Sequence, residues 1–273
     1  MYNFDGSPTL RRVTISSNTA AGTGRSGGGL YSAAGRPILE EVVFVNNSSA
    51  YGGGLRAGDV ILRDVTFSGN SATLRGGGLH SGGTVSMTDV IFSGNTCVDG
   101  GGGASFSQSD HIDLTNVTFQ GNSAGGSGGG LLTNTLGTST LRNIRFLGNT
   151  AVNSGGGMYH ILAKGQVSLT NVIFSGNTAA QGGGMFNGGH ATQPGSVELA
   201  QVSFSGNQAA NGGGLSNTAG ITTRIVNSIF WGNINSGGSP SQIMNSGALE
   251  VSIAHSDIQG AFTGGVWDAA LGV

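Results

Sequence analysis

Phe174-Ser175-Gly176-Asn177-Thr178-Ala179-Ala180-Gln181-Gly182-Gly183-Gly184-Met185 is one copy of a unit that recurs along the whole chain. The unit reads FxGN, then a small residue, a short spacer and GGG, usually followed by Leu or Met. Its asparagine recurs at Asn18, Asn47, Asn70, Asn95, Asn122, Asn149, Asn177, Asn207 and Asn233. Its glycine run recurs at 27–29, 52–54, 76–78, 101–103, 128–130, 155–157, 182–184 and 212–214. Successive asparagines lie 23 to 30 residues apart. This self-similarity predicts a repeat architecture.

The residues that precede each asparagine fall into apolar columns. Leu, Met or Ile lies five residues before the Phe position, and Val usually lies two residues before it. The Phe column contains Phe44, Phe67, Phe92, Phe119, Phe146, Phe174, Phe204 and Phe230. A spacing of two is the alternation of a strand, whereas a spacing of three requires a bend between the Leu and Val columns. The bend column contains Asp64, Asp89, Asn116, Asn143, Asn171 and Asn227, which are residue types that tolerate left-handed backbone.

The columns predict an all-β fold, a parallel β-helix of about ten coils with three short strands per coil. One coil cannot bury its apolar columns alone, but stacked coils can. We therefore expect the Phe residues to form a core ladder and the asparagines a hydrogen-bonded ladder inside the solenoid. The usual hand of parallel crossovers predicts a right-handed coil. The uninterrupted repeat predicts a single domain over 1–273. Because Met1-Tyr2-Asn3 resembles Met185-Phe186-Asn187, the sequence starts in mid-repeat, and we expect a segment of a longer repeat protein or a stacking subunit.

Composition excludes several classes of protein. Glycine accounts for 54 of 273 residues without a Gly-X-Y period, which excludes collagen. Charged residues make up 9% and the net charge is -2, so the chain lacks the basic footprint of a nucleic-acid-binding protein. The sequence contains no run of 18 apolar residues, so it predicts no membrane-spanning segment. Cys97 occupies an offset that holds Ala in most other repeats, which indicates a small buried residue. No cofactor is expected.

The repeat resembles known surface proteins. GGG[LM] combined with FxGN resembles the repeats of chlamydial polymorphic outer-membrane proteins. The segment Ser7-Pro8-Thr9-Leu10-Arg11-Arg12-Val13-Thr14-Ile15 and residues 227–233 are similar to bacterial right-handed parallel β-helix surface proteins often grouped as choice-of-anchor Q proteins. The resemblance implies a pectate-lyase-like β-helix exported to the cell surface or medium. It implies no single activity, because fold does not determine function.

Two polar clusters are weak candidates for a metal site. Glu41, Asp64 and Asp89 lie in the bend column on three successive coils, where carboxylates could bind a cation or a sugar. The column beside them alternates in sign and contains Arg11, Glu40 and Arg63. The alternative interpretation is a solvated ion-pair ladder.

The second candidate cluster is Asp110-His111-Ile112-Asp113, in which His111 and Asp113 should point outward together. The other histidines are His80, His160, His190 and His255, which lie on distant coils without the spacing of metal ligands. The NTD, DD, GHG and RIK motifs of polygalacturonase-like enzymes of this fold are absent from the sequence.

These observations lead to a functional expectation with two alternatives. We expect a non-enzymatic extracellular β-helix, either a structural stalk, an adhesin passenger or a filament subunit. Its expected partners are further copies or flanking repeats at the solenoid ends, and a glycan or cell-surface ligand. The alternative is a β-helix that binds or cleaves polysaccharide. Ice binding is a minor alternative, because the outward Thr column is interrupted by Val43, Ile91, Arg145 and Ile173.

Overall fold

The chain folds as a β-solenoid. The computed structural model describes residues 1–22, 24–162, 165–189 and 194–260, together with 262–263 and 266–267. No helix occurs among these residues, and the strands stack in parallel as about nine turns. A 21-stranded sheet and a 5-stranded sheet form the walls. The predicted all-β parallel solenoid is confirmed, whereas its right hand stays a prediction.

Each coil contains three strands. The first, which we call the leucine strand, follows the glycine run. Leucine strands span Tyr2–Asn3, Leu30–Ser32, Leu55–Ala57, Leu79–Ser81, Met158–Leu162, Met185–Gly189, Leu215–Thr218 and Ile243–Ser246. The second, the bent strand, carries the Leu, Val and Phe columns. Bent strands span Ile38–Val45, Val60–Ser68, Val85–Ser93, Gln166–Ser175 and Gly195–Ser205.

In the middle of the rod the leucine and bent strands merge, and near its ends the bent strand divides. The merged strands are Ala104–Gln120 and Leu131–Leu147. The divided strands are Thr9–Arg11 with Thr14–Ser16, Ile221–Val226 with Ile229–Trp231, and Glu250–Ala254 with Asp257–Ile258. The bend column therefore lies within one strand in most coils, where we expected it to separate two strands.

The third strand of each coil, the alanine strand, carries the small residues that follow the asparagine. Alanine strands span Ser48–Tyr51, Ser71–Arg75, Thr96–Cys97, Ser123–Ala124 and Thr150–Ala151. Thr178, Gln208 and Ile234 continue this ladder as single bridges. Cys97 is buried here, as expected from its column. A separate antiparallel pair joins Phe262–Thr263 to Val266–Trp267.

The bends depend on left-handed backbone at two columns. Every residue of the bend column has a φ between 50° and 58°, including Arg12, Glu41 and Gln201, which are not typical residues for this geometry. The position before each asparagine also has positive φ, as at Gly69 and Gly94. Both predicted bends are confirmed.

Steric contacts explain the run of three glycines. In the coil that contains 76–78, Gly76 has a φ of 68°, which glycine adopts without steric cost. A Cβ on Gly77 would lie 2.3 Å from the Gly102 carbonyl oxygen of the next coil. A Cβ on Gly78 would lie 3.0 Å from the Phe92 ring. The glycines therefore let the backbone pass close to the next coil and to the aromatic core.

The Phe column forms a continuous stack in the core. Phe44 through Phe230 are fully buried, with neighbouring ring centroids 4.5 to 5.0 Å apart. Most neighbouring rings lie within 5° of parallel. The register is strict, since Phe92 pairs with Phe67 on one side and Phe119 on the other. The predicted core ladder is confirmed.

The asparagines of the repeat form a ladder beside the Phe stack, and the ladder is buried from Asn47 to Asn233. Asn122 donates two hydrogen bonds from Nδ2, to Asn149 Oδ1 at 3.0 Å and to the Phe92 carbonyl oxygen at 3.0 Å. Its Oδ1 accepts the backbone N–H and the side-chain amide of Asn95, each at 3.0 Å. The amide is thus fully used. The same amide–amide bond joins successive asparagines from Asn18 to Asn233 at 2.8 to 3.0 Å.

A glutamine ends the ladder in the described residues. Asn233 Nδ2 donates to Gln242 Oε1 at 2.7 Å, in the position that the next asparagine oxygen would take. Gln242 Nε2 donates back to the Asn233 carbonyl oxygen at 3.1 Å. Because Gln242 is buried, this pair of bonds satisfies the last amide without another asparagine.

A second polar column, which the repeat pattern did not predict as a ladder, lies inside the leucine strands. Asn187 Nδ2 donates to Asn217 Oδ1 at 3.0 Å, and Asn217 Nδ2 donates to Asn245 Oδ1 at 2.9 Å. His160 occupies the same column one coil earlier, and its Nδ1 lies 2.6 Å from Thr133 Oγ1. His160 is fully buried, and burial lowers its pKa to about 3.

We expect Asn122→Ala to lower the free energy of unfolding by at least about 3 kcal/mol, because it leaves the Asn95 donors and the Phe92 carbonyl unpaired in the core. Asn171→Gly is the matched control, since it removes an exposed amide–amide bond while keeping a backbone that tolerates positive φ. The control should lose about 1 kcal/mol or less. Urea unfolding followed by circular dichroism measures both, and equal losses would contradict a buried ladder.

We expect acidification to destabilise the fold. Burial, with smaller contributions from Arg56 and Arg75, lowers the pKa of His80 to about 4, and burial lowers that of His160 to about 3, both from 6.5. The unfolded chain therefore binds these protons first, so stability is complete above pH 6.5 and falls as the pH drops toward 4 and 3. Each histidine contributes a slope of up to about 1.4 kcal/mol per pH unit.

Unfolding midpoints between pH 4 and 8 test this dependence. His160→Asn, which reproduces the residue of the next coil, should flatten the profile below pH 6.5. Asn171→Gly, which removes no histidine, is the control and should leave the shape of the profile unchanged. Identical profiles for His160→Asn and the unmodified chain would show that His160 is not held neutral.

Candidate ligand-binding groove

The bend column runs along the outside of the rod. Its members are Arg12, Glu41, Asp64, Asp89, Asn116, Asn143, Asn171, Gln201, Asn227 and His255, and all of them are exposed. The left-handed backbone turns these side chains away from the core, while Leu and Val on either side point inward. The sequence identified this column as bend-forming residues, and the structure shows that it is also a continuous polar surface.

Part of this column is a third amide ladder, exposed to solvent. Asn116 Nδ2 donates to Asp89 Oδ1 at 2.9 Å, Asn143 Nδ2 to Asn116 Oδ1 at 2.9 Å, and Asn171 Nδ2 to Asn143 Oδ1 at 2.8 Å. We call Asp89, Asn116, Asn143 and Asn171 the outer ladder. Its hydrogen bonds hold the amides in line along the rod axis.

Asn116, Asn143 and Asn171 of the outer ladder form the floor of a groove. A cavity of about 300 Å³ is lined by Asn116, Thr118, Asn143, Ile144, Arg145, Asn171 and Ile173. The residue one position before each Phe supplies one wall, so Thr118, Arg145 and Ile173 lie side by side on successive coils. Arg142 directly precedes Asn143 in the same strand and is exposed. We call this surface the outer groove.

The predicted carboxylate cluster of Glu41, Asp64 and Asp89 continues the bend column beyond the outer ladder, and an arginine pairs with one of its three carboxylates. Glu41 Oε2 lies 3.2 Å from Arg12 Nε, and Asp89 accepts the Asn116 amide. In the adjacent column Glu40 lies 2.6 Å from Arg11 and 3.2 Å from Arg63. This geometry is that of the solvated ion-pair ladder, in which each exposed pair contributes little stability.

The structure brings neither candidate cluster together as a cation site. In the part of the chain that it describes, no group of three or more His, Cys, Asp and Glu side chains is placed to hold a metal ion. His111 and Asp113 flank buried Ile112 and therefore share the outward face, as expected. His111 Nδ1 lies 3.1 Å from Thr138 Oγ1, whereas Asp113 is half-buried.

The remaining candidate residues do not converge. His80 and His160 are buried on different coils, His255 is exposed, and His190 lies outside the described residues. Arg145, which lines the outer groove, was noted in the sequence only as an interruption of the Thr column, and Arg142, which precedes the groove residue Asn143, was not singled out. The signal that could have found them is their position on either side of a bend residue.

A second groove lies on another side of the rod. A cavity of about 250 Å³ there is lined in part by Leu132, Asn134, Asn153, Tyr159 and Ile161. The Tyr159 ring stacks on Phe186 at 5.2 Å. Arg75 and Asp99 border this groove and pair with each other at 3.1 Å, so it presents an uncharged, partly aromatic surface.

No helix among the described residues has the length and apolar character needed to cross a membrane.

Comparison with known proteins identifies one kind of repeat. The Chlamydia polymorphic membrane protein repeat matches residues 64–82, 116–134 and 201–218. Each match begins at a bend residue, passes through the FxGN turn and ends in or just after a leucine strand. No curated protein and no solved structure matched the chain. Three coils are therefore similar to this membrane-protein repeat, which supports the resemblance to chlamydial proteins, and the chain is a β-solenoid repeat protein.

Proposed function

We propose that this chain is a non-enzymatic β-helix of the cell surface or extracellular medium, which acts as a structural stalk or adhesive rod. The similarity of three coils to a membrane-protein repeat supports a surface location. The closer relation to choice-of-anchor Q proteins is part of the same proposal, since residues 7–15 and 227–233 carry it.

One observation carries the proposal: all of the recurring residues have a structural role in stacking the coils. Phe and Asn form the two inner ladders, and the glycines allow close passage of the backbone. About nine turns at a strand spacing of roughly 4.8 Å make a rod on the order of 45 Å long. The outward positions, by contrast, differ from coil to coil, as Thr118, Arg145 and Ile173 do. A constant interior with a variable exterior suits a scaffold that presents a binding surface.

Saccharide binding is the second candidate, and the outer groove favours binding over cleavage. Its floor consists of amides and its wall of Thr, Arg and Ile, which can hold a hydroxyl-rich ligand. For self-association we propose contact through the solenoid ends, where strand edges offer backbone donors and acceptors.

Adherence and degradation assays on the purified chain test this proposal. Beads coated with the chain should adhere saturably to cells, and a panel of acidic polysaccharides incubated with the chain should release no unsaturated or reducing ends. Release of such ends, lost in Asp64→Asn or Asp89→Asn, would contradict a non-enzymatic role. The latter change keeps the outer ladder, since Asn occupies the next coils. A monodisperse monomer without filaments in electron micrographs at high concentration would rule out end-to-end stacking.

A further inference from the structure

We propose that the outer groove binds a linear anionic polysaccharide, with Arg142 and Arg145 contacting its carboxylate or sulfate groups and the outer ladder contacting its hydroxyls. The inference rests on the proposed surface role and names the class of partner that the rod would hold. The ligand would lie along the rod axis across the coils that carry Asn116, Asn143 and Asn171.

The first step is the hydrogen-bonding capacity that the outer ladder retains. Asn143 uses one N–H toward Asn116 and one oxygen lone pair toward Asn171. Because a primary amide has two N–H donors and two lone pairs, one of each remains for a ligand. Asn116 is in the same position, since it donates to Asp89 and accepts from Asn143. A paired donor and acceptor on each of these two successive coils matches a polymer of hydroxyl groups.

The second step is the charge beside this ladder. Arg142 and Arg145 lie on the same coil on either side of Asn143, and both side chains are exposed. In the described residues neither forms an ion pair, in contrast to Arg11, Arg63 and Arg224. A guanidinium can bind a carboxylate or sulfate through two parallel hydrogen bonds. On a chain of net charge -2, this local positive pair favours an anionic ligand at the groove.

The third step is the geometry of the groove. The floor amides recur at the strand spacing of roughly 4.8 Å, so successive ladder residues can contact successive parts of one extended chain. Ile173 and the methyl group of Thr118 offer apolar surface to the C–H groups of a sugar ring beside the polar floor. The groove extends across three successive coils, which suits a polymer lying along the rod better than a small molecule that must be enclosed.

The neighbouring coils supply variants that should keep the fold. Thr115 and Thr170 flank Arg142 in its column, and Thr118 precedes Arg145 in its column. Arg142→Thr/Arg145→Thr therefore places in this coil residues that adjacent coils already carry. The control Arg36→Ala/Arg224→Ser removes two positive charges elsewhere, and Ser252 is the neighbour of Arg224 in the next coil.

Biolayer interferometry on immobilised polygalacturonate, heparin and neutral dextran tests the inference. We expect the unmodified chain to bind at least one anionic polymer and not dextran, and to bind more weakly as salt rises. The Arg142→Thr/Arg145→Thr variant should bind at least about tenfold more weakly, because it loses two charge-assisted contacts. The Arg36→Ala/Arg224→Ser control should stay within about twofold, because it changes only distant, screened charges. Thermal melts by circular dichroism verify that each variant is folded.

The outcomes separate the inference from the proposed function. Binding to polygalacturonate would show that carboxylates suffice, whereas binding to heparin alone would show that sulfate groups are needed. Equal weakening in the double variant and its control would show general charge attraction and overturn the groove assignment. Absence of binding to both anionic polymers would also overturn it, while adherence of coated beads to cells would leave the surface role intact.

Discussion

The buried hydrogen bond from one asparagine amide to the next is the interaction on which the solenoid depends. Asn122 shows the pattern: its Nδ2 donates to Asn149 Oδ1 of the next coil and to the Phe92 carbonyl of the preceding coil, and its Oδ1 accepts from Asn95 of the preceding coil. A coil without this amide would bury unpaired backbone groups beside the Phe stack. The glycine run follows from the same constraint, because the chain must pass within van der Waals contact of the next coil to complete the ladder.

The outward bend column constrains its backbone conformation but not the identity of its side chains. The side chains of the inner columns, by contrast, are nearly constant because they hold the coils together. Its backbone is as strictly left-handed as the inner turns, yet its side chains range from Arg12 to Asn171. Water can hydrogen-bond to the side-chain donors and acceptors that the outer ladder leaves unpaired. Replacing one polar residue of this column by another therefore changes the free energy of unfolding little. The bend column keeps a positive φ whatever side chain it bears. A repeat fold can therefore vary these side chains locally and form a surface such as the outer groove.

The sequence predicted the interior well, because the interior repeats. FxGN and GGG recur at fixed offsets, so the Phe stack, the inner ladder and both bends followed from alignment of the coils. The small residue after each asparagine was correctly expected to be buried, as at Cys97, but its place in a strand was not predicted, since two residues such as Thr96–Cys97 show no alternation. The merged strand Ala104–Gln120 was not anticipated, because extra residues around Gln108 interrupt the period without ending the pairing.

The outer groove was harder to predict. Its residues come from successive coils, and which of them lie side by side depends on the register of strand pairing, which the sequence of a single coil does not reveal. Asn116 and Asn143 were identified as turn residues, and only the coordinates show that their amides bond each other. His160 was judged unremarkable, whereas burial in a polar column makes it a titrating group of the core.

Amide hydrogen exchange measures the central claim most directly. The backbone N–H groups of Asn70, Asn95 and Asn122 each donate to a side-chain oxygen of the next asparagine at 2.9 to 3.0 Å. If the inner ladder holds the coils together, these protons exchange only through global unfolding, with equal protection along the rod. Fast exchange at these asparagines, while neighbouring strand amides stay protected, would contradict the account.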